Sequence, residues 1–186
     1  MAFSSEDYAE LLGLYLGDGH ITELARTHRL RLFLDKRYPG IVDEAEELLA
    51  RAFPRNRVGR HYRPDCAMVV VHLHHRHLAC LFPQHGAGKK HHRRVRLEPW
   101  QERHVEAAPW AFLRGCIRSD GCAFVNRTGR YRYLSYGFAN HSADILDLFE
   151  ATCRGLGLKP CRYKRAIRLN RRGDVAQLKR HVGVKS

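Results

Sequence analysis

Two aspartates, Asp18 and Asp120, occupy matching places in two similar segments and are the residues from which we expect chemistry. They lie near the ends of the segments LGLYLGDG and RGCIRSDG, and each is followed by glycine. The same offset of 102 residues separates Asp18 from Asp120 and Gly13 from Gly115 (120 − 18 and 115 − 13). This internal repeat predicts two closely packed helices that bring two carboxylates to one place.

The first segment has the residues that such a helix needs. The pair Ser4–Ser5, followed by the acidic pair Glu6–Asp7, is typical of an N-cap with acids in the first turn. The run Leu11–Leu16 then places apolar side chains on almost every side. A helix that is apolar all round must be buried.

Small residues four positions apart lie on one face of each predicted helix. They are Gly13 and Gly17 in the first helix, and Gly115 and Ser119 in the second. Minimal side chains let two backbones approach closely, which is a packing reason to accept glycine inside a helix. A single segment of this kind would more often be an ordinary core helix ending in an Asp-Gly turn. Two copies with the same internal spacing favour two helices packed against each other.

The two segments resemble the namesake motif of the LAGLIDADG homing endonucleases, also called meganucleases, which occurs twice in single-chain members. Leu11–Gly19 is the first copy and Leu113–Gly121 the second. The resemblance implies an α+β fold of two pseudo-symmetric αββαββα halves. Their paired motif helices would lie at the interface, and their antiparallel sheets would form a DNA-binding saddle.

The resemblance also implies a metal-dependent reaction. The family's metal-binding acids carry over to Asp18 and Asp120, and the metal site is expected to include the adjoining Gly17 and Ser119. Mg²⁺ is the expected cofactor, with Mn²⁺ as a substitute, because Mg²⁺ prefers few carboxylates together with phosphate oxygens and water. Such ions would polarise the scissile phosphate and lower the pKa of the attacking water. The implied enzyme is a site-specific DNA endonuclease that makes a staggered double-strand break at a long asymmetric site.

Family members also place a basic residue just before the central helix of each half, near the attacking water. Asp35–Lys36 takes that place in the first half and Asn140–His141 in the second. Lys36 is therefore predicted to stabilise transition-state charge or activate water, and His141 to orient or deprotonate water. The difference between the halves favours unequal strand cleavage or nicking. Asp35 is either a third acid or a salt-bridge partner of a nearby arginine.

The overall charge agrees with a nucleic-acid partner. Lysine plus arginine is 33 against 19 acidic residues, which gives a net charge of +14, and 44% of the chain is hydrophobic. The sequence pI is about 10.0. A pI above about 9 is the usual electrostatic footprint of nucleic-acid binding. The absence of a membrane-length apolar run and the acidic start of the chain predict no membrane association and a cytoplasmic, or in a bacterium nucleoid-associated, protein.

Alternation of apolar and basic residues predicts strands with one basic face, as in RLRLFLD from Arg29 to Asp35. Predicted strands are 20–24, 29–35, 57–63, 67–74, 122–127, 130–139, 160–164 and 167–169, and predicted helices outside the motifs are 41–53, 99–105, 143–156 and 174–181. Some basic side chains would contact phosphates and others base edges, arginine to guanine being the commonest direct contact. The DNA-binding candidates are Arg29, Arg31, Arg57, Arg60, Arg63, His72, His74, Arg127, Arg130, Arg132, Arg162, Lys164 and Arg165.

The histidines and cysteines do not predict a separate metal site. In a strand His72 and His74 share one face while His75 and His77 lie on the other, so the cluster favours a polar DNA-facing strand over a ligand set. The six cysteines form no CxxC pair, and we expect them to be reduced, with Cys116 packed in the core.

The chain divides into a first half at 1–85, a basic linker at 86–98 and a second half at 99–186. The linker, GAGKKHHRR in its first nine residues, is interpreted either as a solvated charge run or as a connection lying on the DNA backbone. Because both motifs lie in one chain, we expect a functional monomer with internal pseudo-twofold symmetry that binds double-stranded DNA.

Two other functions stay open. Some bacterial transcription regulators resemble this same core but bind DNA without cleavage, usually with an added helix-turn-helix domain. The retained Asp18 and Asp120, and the lack of length for such a domain, favour the nuclease. An intein or RNA-splicing maturase is a weaker alternative, although an RNA-splicing role could share the same basic surface.

Overall fold

A computed structural model describes residues 4–62 and 66–185, in which two halves repeat the same order of elements. The first half contains α1 (Ser5–Asp18), β1 (Gly19–Glu23), β2 (His28–Asp35), α2 (Pro39–Ala52), β3 (Val58–Tyr62), β4 (Met68–His75) and the single-turn α3 (Leu78–Leu81). A 3₁₀ turn at Lys90–His92 precedes the second half. That half contains α4 (Pro99–Ala107), α5 (Pro109–Asp120), β5 (Gly121–Thr128), β6 (Tyr131–Ala139), α6 (Ala143–Gly155), β7 (Cys161–Tyr163), β8 (Ala166–Leu169) and α7 (Arg172–His181).

Each half has a four-stranded antiparallel sheet, and the two sheets share one topology. The strand order is β1-β2-β4-β3 in the first sheet and β5-β6-β8-β7 in the second. The predicted α+β fold of two αββαββα halves is therefore confirmed. α3 and the 3₁₀ turn were not predicted, since both are too short to show a periodic pattern.

One face of each sheet is covered by helices. On β2, Leu30, Leu32 and Leu34 are buried on that face and alternate with Arg29 and Arg31 on the other. On β6, Phe138 stacks on Phe149 of α6 with ring centroids 4.4 Å apart. We call the uncovered side of each sheet its open face.

The two motif helices form the centre of the molecule. Ser4 caps α1 by accepting a 3.0 Å hydrogen bond from the Asp7 backbone N–H, and Tyr8 to Leu16 are all buried, as their composition predicts. α5 lies against α1, with Phe112, Leu113 and Ile117 fully buried. Cys116 is buried in the same core, as expected, and all six thiols are free.

Glycine sets the separation of α1 and α5. A Cβ atom added to Gly13 would lie 2.5 Å from the Phe112 carbonyl oxygen and 2.8 Å from the Cys116 nitrogen. A Cβ on Gly115 would collide with the Glu10 carbonyl oxygen. The obstacles are backbone atoms, so neither helix can accept a larger residue here without moving away from the other.

No helix among the described residues is long and apolar enough to cross a membrane.

We expect Gly13→Ala and Gly115→Ala each to destabilise the protein by about 1–3 kcal/mol, because the methyl group overpacks a backbone contact. Chemical denaturation monitored by circular dichroism measures the change in free energy of unfolding. Gly155→Ala is the matched control: it lies at the end of α6, where a Cβ would meet nothing within 4 Å, and should be neutral or stabilising. Equal stability of all three variants would contradict backbone contact between α1 and α5.

Candidate active site

The C-terminal ends of α1 and α5 bring Asp18 and Asp120 together, as the repeat predicts. Both aspartates are the last residues of their helices. The Asp120 carboxylate reaches across to α1, since a Cβ on Gly17 would lie 3.1 Å from Asp120 Oδ2. Both groups line one cleft of about 430 Å³, which also contains Lys90, Asn140 and other residues named below.

The electrostatic environment of the two acids opposes their ionisation. Burial and the neighbouring charge of Asp120 raise the pKa of Asp18 to about 7. Burial also raises the pKa of Asp120, although a 2.6 Å hydrogen bond from Asn140 Nδ2 to Asp120 Oδ2 counteracts part of that effect. Both carboxylates lie at the negative ends of helix dipoles, which adds to the unfavourable charge.

Two lysines balance this charge, and the sequence did not single out either of them. Lys90 Nζ donates to the carbonyl oxygens of Tyr15, Leu16 and Gly17 at 2.5, 3.1 and 3.1 Å. Lys185 Nζ donates to the Ser119 carbonyl oxygen at 2.5 Å. Each lysine thus caps the C-terminus of one motif helix, a position that the helix dipole favours for a cation.

The pKa values of these lysines reflect the same cluster. Burial lowers the pKa of Lys90 to about 8, against the opposing attraction of Asp120 and Asp18. Burial likewise lowers the pKa of Lys185, and the same two carboxylates oppose it. The site therefore holds two carboxylates and two lysine amines that influence one another's ionisation.

Lys90 has a role that the interpretation of the linker did not include. It lies in the basic run at 86–94, yet its side chain points into the site rather than into solvent or along a DNA backbone. Arg93 holds this segment in place by donating to the carbonyl oxygens of Gln84, Gly86, Ala87 and Gly88 at 2.9–3.2 Å. A charge run gives no sign of which lysine turns inward, so composition could not identify Lys90.

The residues before the central helices α2 and α6 correspond to each other differently from the prediction. The Lys36 N–H donates to the Ala67 carbonyl, and the Asn140 N–H donates to the Arg165 carbonyl in the equivalent bond. Lys36 therefore corresponds to Asn140, one position away from the predicted match of Asp35–Lys36 with Asn140–His141.

This shift gives the two halves different chemistry at the site. Asn140 contacts Asp120, whereas Lys36 is exposed. Asp35 forms the predicted alternative of a salt bridge, accepting from Arg37 at 2.6 Å. His141 lines the cleft and lies 5.3 Å from the ring of His91, centroid to centroid.

Several of the DNA-binding candidates share the open face of the first sheet. Register pairs Arg29 with His74 and Arg31 with His72, side by side on β2 and β4. Arg57 lines a groove with His72 and His74 next to them. No group of three or more His, Cys, Asp or Glu residues within 4–62 and 66–185 is arranged to hold a metal.

Arg60 and Arg162 do not lie on the open faces, contrary to the prediction. Arg60 pairs with Asp43 at 2.6 Å and with Glu46, both on α2. Arg162 pairs with Asp147 at 2.9 Å and Glu150 at 3.0 Å on α6. An acidic pair three residues apart on each central helix holds the arginine on the helix side of the sheet. Two features of the sequence indicated this orientation. One is the acidic pair on each helix, and the other is the odd spacing from Arg57 to Arg60, which places these two residues on opposite faces of a strand.

The remaining candidates are distributed over turns and the other sheet. Arg127 and Arg132 are register partners on the face opposite to Asn126 and Tyr133. Arg130 lies in the β5–β6 turn beside Tyr131, and the exposed Lys164 and Arg165 form the β7–β8 turn. Arg63 lies outside the described residues. Arg168, on the open face of the second sheet, was missed because it lies in a four-residue strand.

Comparison with known proteins gives structural matches only. No protein-family profile and no curated protein sequence matches the chain. The structure of full-length DUF199/WhiA from Thermatoga maritima superposes with a TM-score of 0.64 at 15% identity, over 99% of this chain and 57% of that one. The chain thus spans little more than half the length of that protein.

Two further structures cover the chain almost completely. The N-terminal LAGLIDADG domain of DUF199/WhiA matches with a TM-score of 0.60 and 13% identity, over 100% of this chain and 84% of that one. I-DmoI in complex with DNA and Mn matches with a TM-score of 0.64 and 15% identity, over 97% and 98% of the two chains. At these identities the likeness concerns the fold, and this chain has the two-half LAGLIDADG fold.

Proposed function

We propose that the protein binds double-stranded DNA across the open faces of its two sheets and hydrolyses phosphodiester bonds at Asp18 and Asp120. The observation that carries this proposal is the meeting of two carboxylates from different halves, held where their ionisation is opposed. Acids in a cleft whose pKa values are raised by burial and by a neighbouring charge are candidates for a functional site. The net charge of +14 and the fold shared with I-DmoI, whose structure contains DNA and Mn, support the same function.

The donor set suits a divalent cation. Asp18 and Asp120 offer carboxylate oxygens, and Gly17 and Ser119 offer backbone carbonyl oxygens beside them. Mg²⁺ and Mn²⁺ accept such oxygens, and Mg²⁺ typically takes one or two carboxylates and completes its shell with phosphate and water. A bound divalent ion would supply Lewis acidity and a water of lowered pKa.

The chain's own groups position and neutralise charge around the phosphate. Lys90 and Lys185 place ammonium groups beside the carboxylates, where they stabilise negative charge that develops on a phosphate. Asn140 fixes the orientation of Asp120. His141 lines the same cleft, where its ring nitrogens can hydrogen-bond to water. Since one chain supplies both halves, we propose that it acts as a monomer.

A second candidate function is DNA binding without cleavage, as in a transcription regulator. One observation favours it: the lysines donate to the Gly17 and Ser119 carbonyls, so the oxygens expected to bind metal already have cationic partners. In that case the paired acids and lysines would form a structural ion cluster between the halves, and the open faces alone would carry function.

Cleavage selection separates the two functions. Purified protein with Mg²⁺ or Mn²⁺ is incubated with a randomised duplex library, and the cut ends are sequenced. We expect ends with short 3′ overhangs from one long asymmetric site, and loss of cutting by at least about 10²-fold in Asp18→Asn and Asp120→Asn with binding retained.

Asp147→Asn is the matched control for these variants. Asp147 is exposed on α6, and its partner Arg162 keeps Glu150, so cutting should persist in this variant. Binding without cutting in the unmodified protein would assign it to the regulator class. Cutting by the Asp18→Asn/Asp120→Asn double variant would exclude the proposed site.

Lys90, whose side chain points into the site, gives a separate prediction. Lys90→Met should reduce the single-turnover cleavage rate by roughly 10²-fold, because it removes a cation placed beside the reacting phosphate, while DNA affinity changes little. Lys179→Met removes the same charge from an exposed position on α7, outside the cleft, and should cut at the normal rate. Equal rates for the two variants would assign Lys90 to helix capping alone.

The opposed ionisation of Asp18 predicts a pH-dependent stability. Its pKa in the folded protein, about 7, exceeds the ordinary value of 3.8, so the folded state binds the proton more tightly and loses stability as pH rises between these values. Asp18→Asn lacks this loss. Its melting temperature should therefore exceed that of the unmodified protein by a margin that grows from about pH 4 to pH 7 and then stays constant, measured by calorimetry. A margin independent of pH would show that Asp18 ionises normally.

A further inference from the structure

The open faces of the two sheets differ in chemistry although their strands share one topology. The first carries hydrogen-bond donors: His20, Arg29, Arg31, His61, His72 and His74. The second carries Phe124, Asn126, Tyr133, Tyr163 and, as the single cation among its described strand residues, Arg168. The first open face is thus rich in guanidinium and imidazole groups, and the second is rich in aromatic rings.

The first open face offers more donors than acceptors. Arg31 Nη2 donates to Thr22 Oγ1 at 2.9 Å, which fixes the direction of its guanidinium. The buried Nε atoms of Arg29 and Arg31 have no partner among the described residues. The His72 ring lies directly over Gly59, where a side chain would collide with it. In the major groove guanine presents two acceptors, N7 and O6, to such donors.

The second open face carries more aromatic surface than the first. Arg168 lies over the rings of Tyr163 and Phe124, 5.0 and 5.7 Å from their centroids, so its charge is partly engaged within the protein. Tyr163 is 49% exposed and Tyr133 is 42% exposed. Apolar side chains contact the C5-methyl group of thymine, which is the apolar feature of the major groove.

One amide on this face is also oriented. Asn126 Nδ2 donates to Ser135 Oγ at 2.6 Å, which sets the plane of its amide. Asparagine recognises adenine by accepting from N6 and donating to N7. Thymine methyls and adenine edges belong to the same base pair, so both features of this face suit A·T pairs.

We propose that the two halves of the DNA target differ in composition, with guanines facing the first sheet and A·T pairs facing the second. This inference rests on the proposed function, because it assigns base preferences to the open faces that bind DNA there. The first half-site would supply most of the hydrogen-bonded base contacts, and the second most of the apolar ones.

Selection of bound duplexes tests this inference independently of cleavage. The unmodified protein is incubated with a randomised duplex library in EDTA, so that no metal-dependent cutting occurs, and retained sequences are determined. We expect one half of the enriched site to be rich in guanine and the other half in A·T pairs. No enrichment of any duplex would overturn both the inference and the proposed DNA-binding function.

Substitutions assign each half-site to a sheet. Arg29→Gln and Arg31→Gln should lower guanine preference by roughly 5- to 150-fold at one position each and leave the A·T half unchanged. Tyr163→Ser should relax the base preference of the A·T half alone. Because the Tyr163 side chain is exposed, its loss should not unfold the protein. Arg154→Gln removes the same charge from α6, on the covered side of the second sheet, and should leave both halves unchanged.

Two outcomes would overturn the inference while leaving DNA binding established. One is enrichment of two halves with the same composition. The other is a reversed assignment, in which Arg29→Gln or Arg31→Gln relaxes the A·T half, or Tyr163→Ser relaxes the guanine half.

Discussion

Direct contact between the backbones of α1 and α5 is the constraint on which the rest of this structure depends. Gly13 and Gly115 leave no volume between the helices, so the two helices cannot separate without opening the core. Because the acids are the last residues of these helices, the same contact decides where Asp18 and Asp120 lie. Each sheet begins one residue later, at Gly19 and Gly121, so the contact also fixes how the sheets are placed relative to the acids.

This placement brings two like charges together, and lysines from segments outside the two motif helices offset them. Two half-buried carboxylates at the negative ends of helix dipoles repel each other, and burial alone raises both pKa values. Lys90 comes from the segment between the halves and Lys185 from the segment after α7. Both reach the helix ends from segments without long secondary structure, so the site depends on segments that the pseudo-symmetry of the halves does not include.

The two halves share one backbone topology but differ in the side chains that they present. Lys36 and Asn140 make equivalent backbone bonds to the residues that precede the neighbouring strands, and the two sheets share one strand order. Only Asn140 reaches an acid, and only the first open face is rich in guanidinium and imidazole groups. A duplicated framework thus presents different functional groups to the two sides of one site.

The sequence by itself determined the repeat, the order of the helices and strands, and the two acids, because close helix packing and strand alternation impose short-range patterns on residue type. Only the tertiary structure decided which basic residues matter. Arg60 and Arg162 turn toward acidic pairs on the central helices, since a strand residue's face depends on register rather than on its charge. Lys90 differs from its neighbours in the basic run only by the path of the chain around it, which no local pattern encodes. Long-range packing therefore completed a site whose centre the repeat had already specified.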